Sequence, residues 1–257
     1  MTIHACADLV QRGDPDRFAA VMAAPVPARQ RLFPLYAWNL EVARVPWVTQ
    51  EPLIAEMRLQ WWRDVVENAA SGAAQAHEVA GPLHQVIRDC DLPLDVMDRL
   101  IVARRADIGT EPFADQGALD AYLEDTGAGL MWLAARAMGA AAAAEETVRG
   151  YGWASGLASY LTAVPDLIAR GRTPLVDTSP DGIARLAREG RARIRQAQSQ
   201  RHAVPAAVAP ALLAGWQAAA ILTEAANDPA AVLQGRLGMS EFSRRGRLLW
   251  QATTGRW

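Results

Sequence analysis

The sequence is short of the residues on which many enzymatic and extracellular chemistries depend. Two cysteines, Cys6 and Cys90, stand in 257 residues. They are too few and too widely spaced for a disulfide framework, so a reducing cytoplasm is the expected compartment. The four histidines, His4, His77, His84 and His202, fall at no metal-ligand spacing, and no metal site is expected from them. Lysine is absent, and all 26 basic residues are arginine; beside the abundant alanine, this fits a GC-rich genome better than a chemical demand. A formal net charge of -2 leaves no basic surplus to neutralise phosphates, which excludes a dedicated nucleic-acid binder. The start, MTIHACADLVQRGDPDRF, lacks a basic stretch followed by an apolar one, so no secretion signal is expected. No apolar run is read as reaching the ~20 residues of a membrane span. Any membrane contact is expected to be peripheral.

Strand signals are scarce as well, and helical periodicity fills the space they leave. A hydrophobic fraction of 51% supports a sizeable core, and a charged fraction of 21% is ordinary. Apolar residues recur at helical spacing over 5–12, 14–22, 27–45, 51–71, 80–90, 93–108, 116–139, 143–167, 180–200, 205–226 and 240–252. Breakers separate these runs: Pro27 opens one, DLP divides two short ones, and RGRTPLVDTSPDG and NDPAAVLQGRLGMS form irregular connections. No linker is long or polar enough to divide the chain. One all-α domain over residues 1–257 is expected.

Polar residues inside the apolar stripes are the candidates for a site. In LYAWNLEVARVPWV, Asn39 falls between Leu35 and Val42, and Glu41 lies beside that stripe. In EPLIAEMRLQWWRDVVENA, the periodicity turns Ile54, Met57, Trp61 and Val65 inward, with Trp62 and Val66 beside them. Arg58 then lies on the inward side, where an unpaired guanidinium would cost several kcal/mol. It is expected either to pair with Glu41 or Asn39 or to bind an anion. Arg104 follows Met97, Leu100 and Ile101 in register, and Asp107 is one turn on, near enough to pair with it. A cavity rim and a self-paired polar cluster would give this same pattern. Tyr122 and Thr126 are the polar members of the face carrying Leu119, Leu123, Leu130 and Leu133. The small residues Gly150, Gly152, Ala154, Gly156 and Ala158 lack the preceding strand of a dinucleotide fingerprint, so close helix packing is expected of them. The arginine-rich stretch RLAREGRARIRQAQSQRH, 185–202, reads as a solvated face or as a surface drawn to anionic lipid or an acidic partner.

Taken together, these segments resemble the squalene/phytoene synthase family over about residues 15–250. That resemblance implies an isoprenoid-synthase-like helical bundle around a central cavity, in which two prenyl diphosphates are joined head to head. FPLYAWNLEVARV stands where the family has an aromatic-rich helix ending in its first aspartate-rich motif, and RLQWWRDVVE resembles the tryptophan–arginine helix that follows. ADIGTEPFADQGALDAYLEDTGAGLMWLAARAMG resembles the segment around the family's Asp, Tyr and small-residue helix, and YGWASGLASYLTAVPDLIARGRTPLVD the helix and loop of the second aspartate-rich motif. In that family, carboxylates on two facing helices hold Mg²⁺, which grips the diphosphate and neutralises it as the C–O bond ionises. Here the first motif's paired acids are replaced by Ala43 and Arg44 and its later acid by Trp47. In the second motif, Ala163 and Leu167 replace the Asn and Asp, with only Asp166 nearby.

Within the family, the chain is similar to the mitochondrial complex I assembly factor 6 group through Asn39 with Glu41, MRLQWWRDVVE, and LTAVP at 161–165. The resemblance implies a non-catalytic scaffold or assembly protein with no catalytic residue, no metal ligand and no cofactor. Its expected partner is a respiratory-chain protein or an isoprenoid lipid, in the cytoplasm or peripheral to the inner membrane. The cavity candidates are Asn39, Glu41, Arg58, Trp62, Arg104, Asp107, Tyr122, Thr126 and Asp166. The alternative is a divergent prenyl transferase in which Arg58, Arg104, Arg105, Arg170 and Arg172 gather to hold diphosphate, with Mg²⁺ a cofactor in that case alone. A third reading is a quinone- or prenyl-lipid-binding module, its tunnel lined by Trp38, Trp61, Trp62, Trp132 and Trp153; the same tryptophans could equally pack a core.

Overall fold

The computed structural model describes residues 3–49, 51–71 and 76–257. The helices are α1 (Ile3–Gly13), α2 (Pro15–Ala23), α3 (Val26–Val48), α4 (Pro52–Ser71), α5 (Ala80–Cys90), α6 (Leu94–Ala103), α7 (Gln116–Leu123), α8 (Gly129–Ala137), α9 (Glu145–Ala169), α10 (Pro180–Ser199), α11 (Ala209–Leu212), α12 (Ala218–Asn227), α13 (Ala230–Leu233) and α14 (Glu241–Thr254). No strand occurs among the described residues. Local chemistry sets the boundaries. Asp14, Asp115, Ser179 and Ser240 each accept a hydrogen bond from a backbone N–H three residues on, and proline follows two of these caps as Pro15 and Pro180. At the other end, Gly255 closes α14 at φ 64°, where a side chain would strain the backbone.

Two long helices form the centre. α3 is buried continuously from Leu32 to Asn39, so it has no solvated face there. α9 packs on α8, α10 and α12. Between α7 and α8 the chain makes a five-residue π-helical turn, Glu124–Ala128, that keeps the two helices in one rod. The rod lies very close to α9. A Cβ on Gly127 would come 2.7 Å from Gly156 Cα, and one on Gly152 would come 2.9 Å from Ala128 Cα. The small-residue run therefore serves helix packing.

Two expectations change here. First, α4 buries Ala55, Leu59, Trp62, Val65, Val66 and Ala69, a stripe turned by about one residue from the one its periodicity suggested. Leu53, Ile54 and Met57 are instead exposed. The helix has apolar residues on two faces, so spacing alone could not choose between them, and Arg58 rides on the exposed one. Its guanidinium thereby keeps its hydration. Second, the segment Ala206–Asn227 does meet the length and composition of a span, with 22 residues at mean hydropathy 1.5 and half of its apolar window buried inside the fold. The expectation that no apolar run reaches that length is thereby corrected, and so is the single helix expected over 205–226, because Pro210 and Gly215 fall inside it. They break it into short 3-10 and α turns before α12; the turns pack on α8 and α9, and α12 packs on α9 and α10.

Candidate functional site

A cavity of about 320 Å³ opens between α3, the α7–α8 rod and α9, within the size range of small-molecule pockets. α3 supplies Tyr36, Asn39, Ala43 and Trp47 at helical spacing, and α9 supplies Gly152, Gly156, Tyr160, Ala163 and Leu167. Tyr122, Thr126, Leu130 and Met131 come from the rod, Arg104 and Asp107 from the short 3-10 turn after α6, and Asp14 and Arg17 from the α2 end. A second cavity of similar size shares Trp47 and Asp107 with the first and is lined by Arg170 and Arg172.

Asp107 organises one end. Its side chain is 7% exposed, and it meets Arg104 Nη1 at 3.2 Å and Arg172 Nη1 at 3.1 Å. The Tyr122 hydroxyl donates to Asp107 Oδ2 at 2.8 Å and accepts from Arg104 Nη1 at 2.6 Å. Arg172 also donates to the Ala106 carbonyl at 2.7 Å. Burial, with the Asp107 charge adding to it, holds the Tyr122 hydroxyl protonated well above the ordinary tyrosine range, against the pull of Arg104. Phe113 and Tyr160 pack on the Tyr122 ring at 5.4 and 5.9 Å between centroids. One turn on, Thr126 Oγ1 donates to the Tyr122 carbonyl at 2.6 Å. Arg104 Nε alone of this cluster is buried without a hydrogen-bond partner. Both carboxyl oxygens of Asp107 are taken by this chain's own donors.

The opposite end is less well satisfied. Asp14 pairs with Arg17 at 2.6 Å, and Arg17 lies 5.1 Å over the Tyr36 ring. The Tyr36 hydroxyl and Asn39 Oδ1 are buried without a hydrogen-bond partner. Burial pushes the Tyr36 hydroxyl up to about 12, with Arg17 acting against it.

The remaining candidates sit elsewhere. Glu41 is half-buried and pairs with Arg44 one turn along the same helix, an i,i+3 neighbour. Arg58 is exposed, for the reason given by the phase of α4. Trp62 is buried against Trp61 and His77 at 4.7 and 5.4 Å and does not line the cavity. Asp166 is exposed on the outer side of α9, one residue short of Leu167, which does line the cavity. Of the five arginines considered for diphosphate, Arg104 and Arg172 share Asp107. Arg170 and Arg172 lie 4.7 and 5.8 Å over the Trp47 ring, whereas Arg105 turns to Glu56 at 2.9 Å. None of Trp38, Trp61, Trp62, Trp132 and Trp153 lines the cavity; Trp47 does. Trp38 and Trp153 are core residues at 0% exposure. Among the described residues, no group of three or more His, Cys, Asp or Glu is placed to hold a metal ion.

Sequence reasoning missed Asp14, Arg17, Tyr36 and Tyr160 as cavity residues. Asp14 and Arg17 fell in a run, 14–22, that was read only as a helix.

Residues 10–179 match the squalene/phytoene synthase family. The chain belongs to that family. Among curated relatives, the human NADH dehydrogenase (ubiquinone) complex I assembly factor 6 is 25% identical over 165 residues, covering 64% of this chain and 50% of the human protein. The Drosophila melanogaster homologue of that assembly factor is 28% identical over 178 residues, covering 66% and 53%. The chain thus spans about half the length of the curated relatives it matches. Among solved structures, a dehydrosqualene synthase in complex with ligand superposes at a TM-score of 0.78 with 13% identity, covering 98% of this chain and 95% of that one. The architecture is the isoprenoid-synthase-like helical fold.

Proposed function

We propose that the chain is a non-catalytic squalene/phytoene synthase family member that serves as a scaffold or assembly factor for respiratory complex I and holds an isoprenoid lipid in its cavity, without a cofactor. One observation carries the non-catalytic part. The two carboxylates lining the cavity, Asp14 and Asp107, are both ion-paired to arginine. Magnesium needs oxygen ligands that are free to bind it, and Ala43, Trp47, Ala163 and Leu167 offer none from the facing walls. Both carboxylates are occupied within the chain. The assembly part rests on the names of the curated relatives; the site of action we propose is the cytoplasm, in keeping with the two cysteines, at or near the inner membrane.

Calorimetry with farnesyl diphosphate, with and without Mg²⁺, tests the first part. The expected result is no metal-dependent binding and no hydrocarbon product; micromolar, Mg²⁺-dependent binding overturns it. Affinity capture from solubilised membranes, read for complex I subunits by mass spectrometry, tests the second, and their absence from the captured material overturns it. Organic extraction of the purified protein should yield an isoprenoid lipid.

A second reading has one observation in its favour. Arg104, Arg170 and Arg172 converge on Asp107 and Trp47 at one end of the cavity. Forked guanidinium groups there could hold diphosphate without metal, making the chain a divergent prenyl transferase. Metal-independent binding of farnesyl diphosphate together with a prenyl hydrocarbon product would establish it.

A further inference from the structure

The last long helix carries its large apolar residues on the outside. α14 turns the buried Gln251 and the half-buried Arg244, Arg247, Leu248 and Ala252 toward the fold. Phe242, Leu249 and Trp250 face away from it, 89%, 66% and 50% exposed. Their spacing puts all three in one outward sector, with Arg245 at its edge. An amphipathic surface helix normally points its apolar side inward; this one is reversed.

The outward face is held rigidly. Arg244 pairs with Asp16 near the start of the helix. Beyond its end, the Trp257 ring is buried, 5.1 Å edge-on to Tyr151. The Trp257 carbonyl accepts from Gln198 Nε2 and Arg201 Nη2, each at 2.8 Å. α14 is therefore a fixed platform strapped at both ends.

Its charge is one-sided. Arg244, Arg245, Arg247 and, just past the helix, Arg256 stand against one carboxylate of this segment, Glu241, which takes Arg244 and Arg245, and against Asp16 of α2, which takes Arg244 on the inner side. Arg245 is 81% exposed, and Arg256 lies 5.7 Å over the Trp250 ring. Aromatic and aliphatic side chains flanked by arginines match the chemistry of a bilayer interface, where the apolar groups enter the headgroup boundary and the cations meet lipid phosphates. A second copy of the chain fits worse. Face-to-face pairing would oppose arginine to arginine, and three side chains fall well short of the ~800 Å² per partner of a stable interface.

We propose that the outer face of α14 docks the protein on an anionic lipid surface through Phe242, Leu249 and Trp250, with Arg245 and Arg256 contacting the lipid phosphates. This face is remote from the diphosphate question and stands whichever way that is resolved. The test is co-sedimentation of the full chain with phosphatidylcholine–phosphatidylglycerol vesicles and with phosphatidylcholine alone. The chain should pellet with the mixed vesicles, and added salt should weaken the binding. The variant F242S/L249S/W250S should bind at least roughly tenfold more weakly with an unchanged circular dichroism spectrum. Absence of binding to anionic vesicles, or undiminished binding by a folded triple variant, overturns the proposal. So does a dimer in sedimentation equilibrium that the triple variant abolishes, which would give this face to a second copy. Should the triple variant not fold, brominated phosphatidylglycerol should quench a component of wild-type tryptophan emission that W250F lacks; equal quenching of the two also overturns it.

Discussion

Two carboxylates in this protein each receive two arginines, in opposite surroundings. Asp107 takes Arg104 and Arg172 with its side chain 7% exposed. Glu241 takes Arg244 and Arg245 with its side chain 60% exposed. The number of ion pairs is the same, and burial decides what they do. In water, the pairs around Glu241 contribute about 0–1 kcal/mol and are screened by salt. Around Asp107 the charges have lost their hydration, so they depend on one another and on Tyr122. The charges around Asp107 are thus bound to one another within the fold, while the Arg245–Glu241 pair on α14 stays in water, with Arg245 81% exposed.

The sharpest way to break this contrast is to remove Asp107. Asp107→Ala leaves two largely buried guanidinium groups without their counter-ion and should cost about 3–5 kcal/mol in urea unfolding. The loss should persist in high salt. Next comes Tyr122→Phe, which removes the hydroxyl that bridges Arg104 and Asp107; about 1–3 kcal/mol is expected, because a buried charged partner is left short of a hydrogen bond. Tyr36 is the control for that experiment. Its hydroxyl is buried but makes no hydrogen bond, so Tyr36→Phe should be neutral or stabilising by about 1 kcal/mol. The same residue sets a pH dependence. Its folded value, raised by burial to about 12, lies above the ordinary value near 10 of an unfolded chain. Its contribution is therefore complete below about pH 10 and is lost as pH rises toward 12. Tyr36→Phe should flatten that part of the stability profile. The smallest effects belong to the solvated side: Glu241→Gln and Arg58→Ala should each change stability by no more than about 0.5 kcal/mol. A large penalty at Arg58 would mean that the outward face of α4 is covered.

Legibility in the sequence followed the range of the interaction. Helix limits were readable where breakers act within a turn of themselves, as at Pro27 near the start of α3 and at DLP between α5 and α6. The Arg104–Asp107 pair was readable as an i,i+3 spacing. Arg172 was not, since it reaches Asp107 from 65 residues away. Asp166 and Leu167 are neighbours on α9, and which of them meets the cavity depends on how that helix is rotated against the rod. Glu41 had two candidate partners by sequence, and the one on its own helix, Arg44, is the one it meets.

The sequence by itself determined that the chain is helical and to which family it belongs, because both are written in local spacing and in short ordered motifs. Only the tertiary structure decided which apolar face of α4 is buried, that Asp107 serves two arginines, and that α14 turns Phe242, Leu249 and Trp250 outward. The reason is physical. A helix with apolar residues on two sides is equally stable rolled either way until its neighbours choose, and an ion's partner is set by what packing brings within about 4 Å, wherever it lies in the chain.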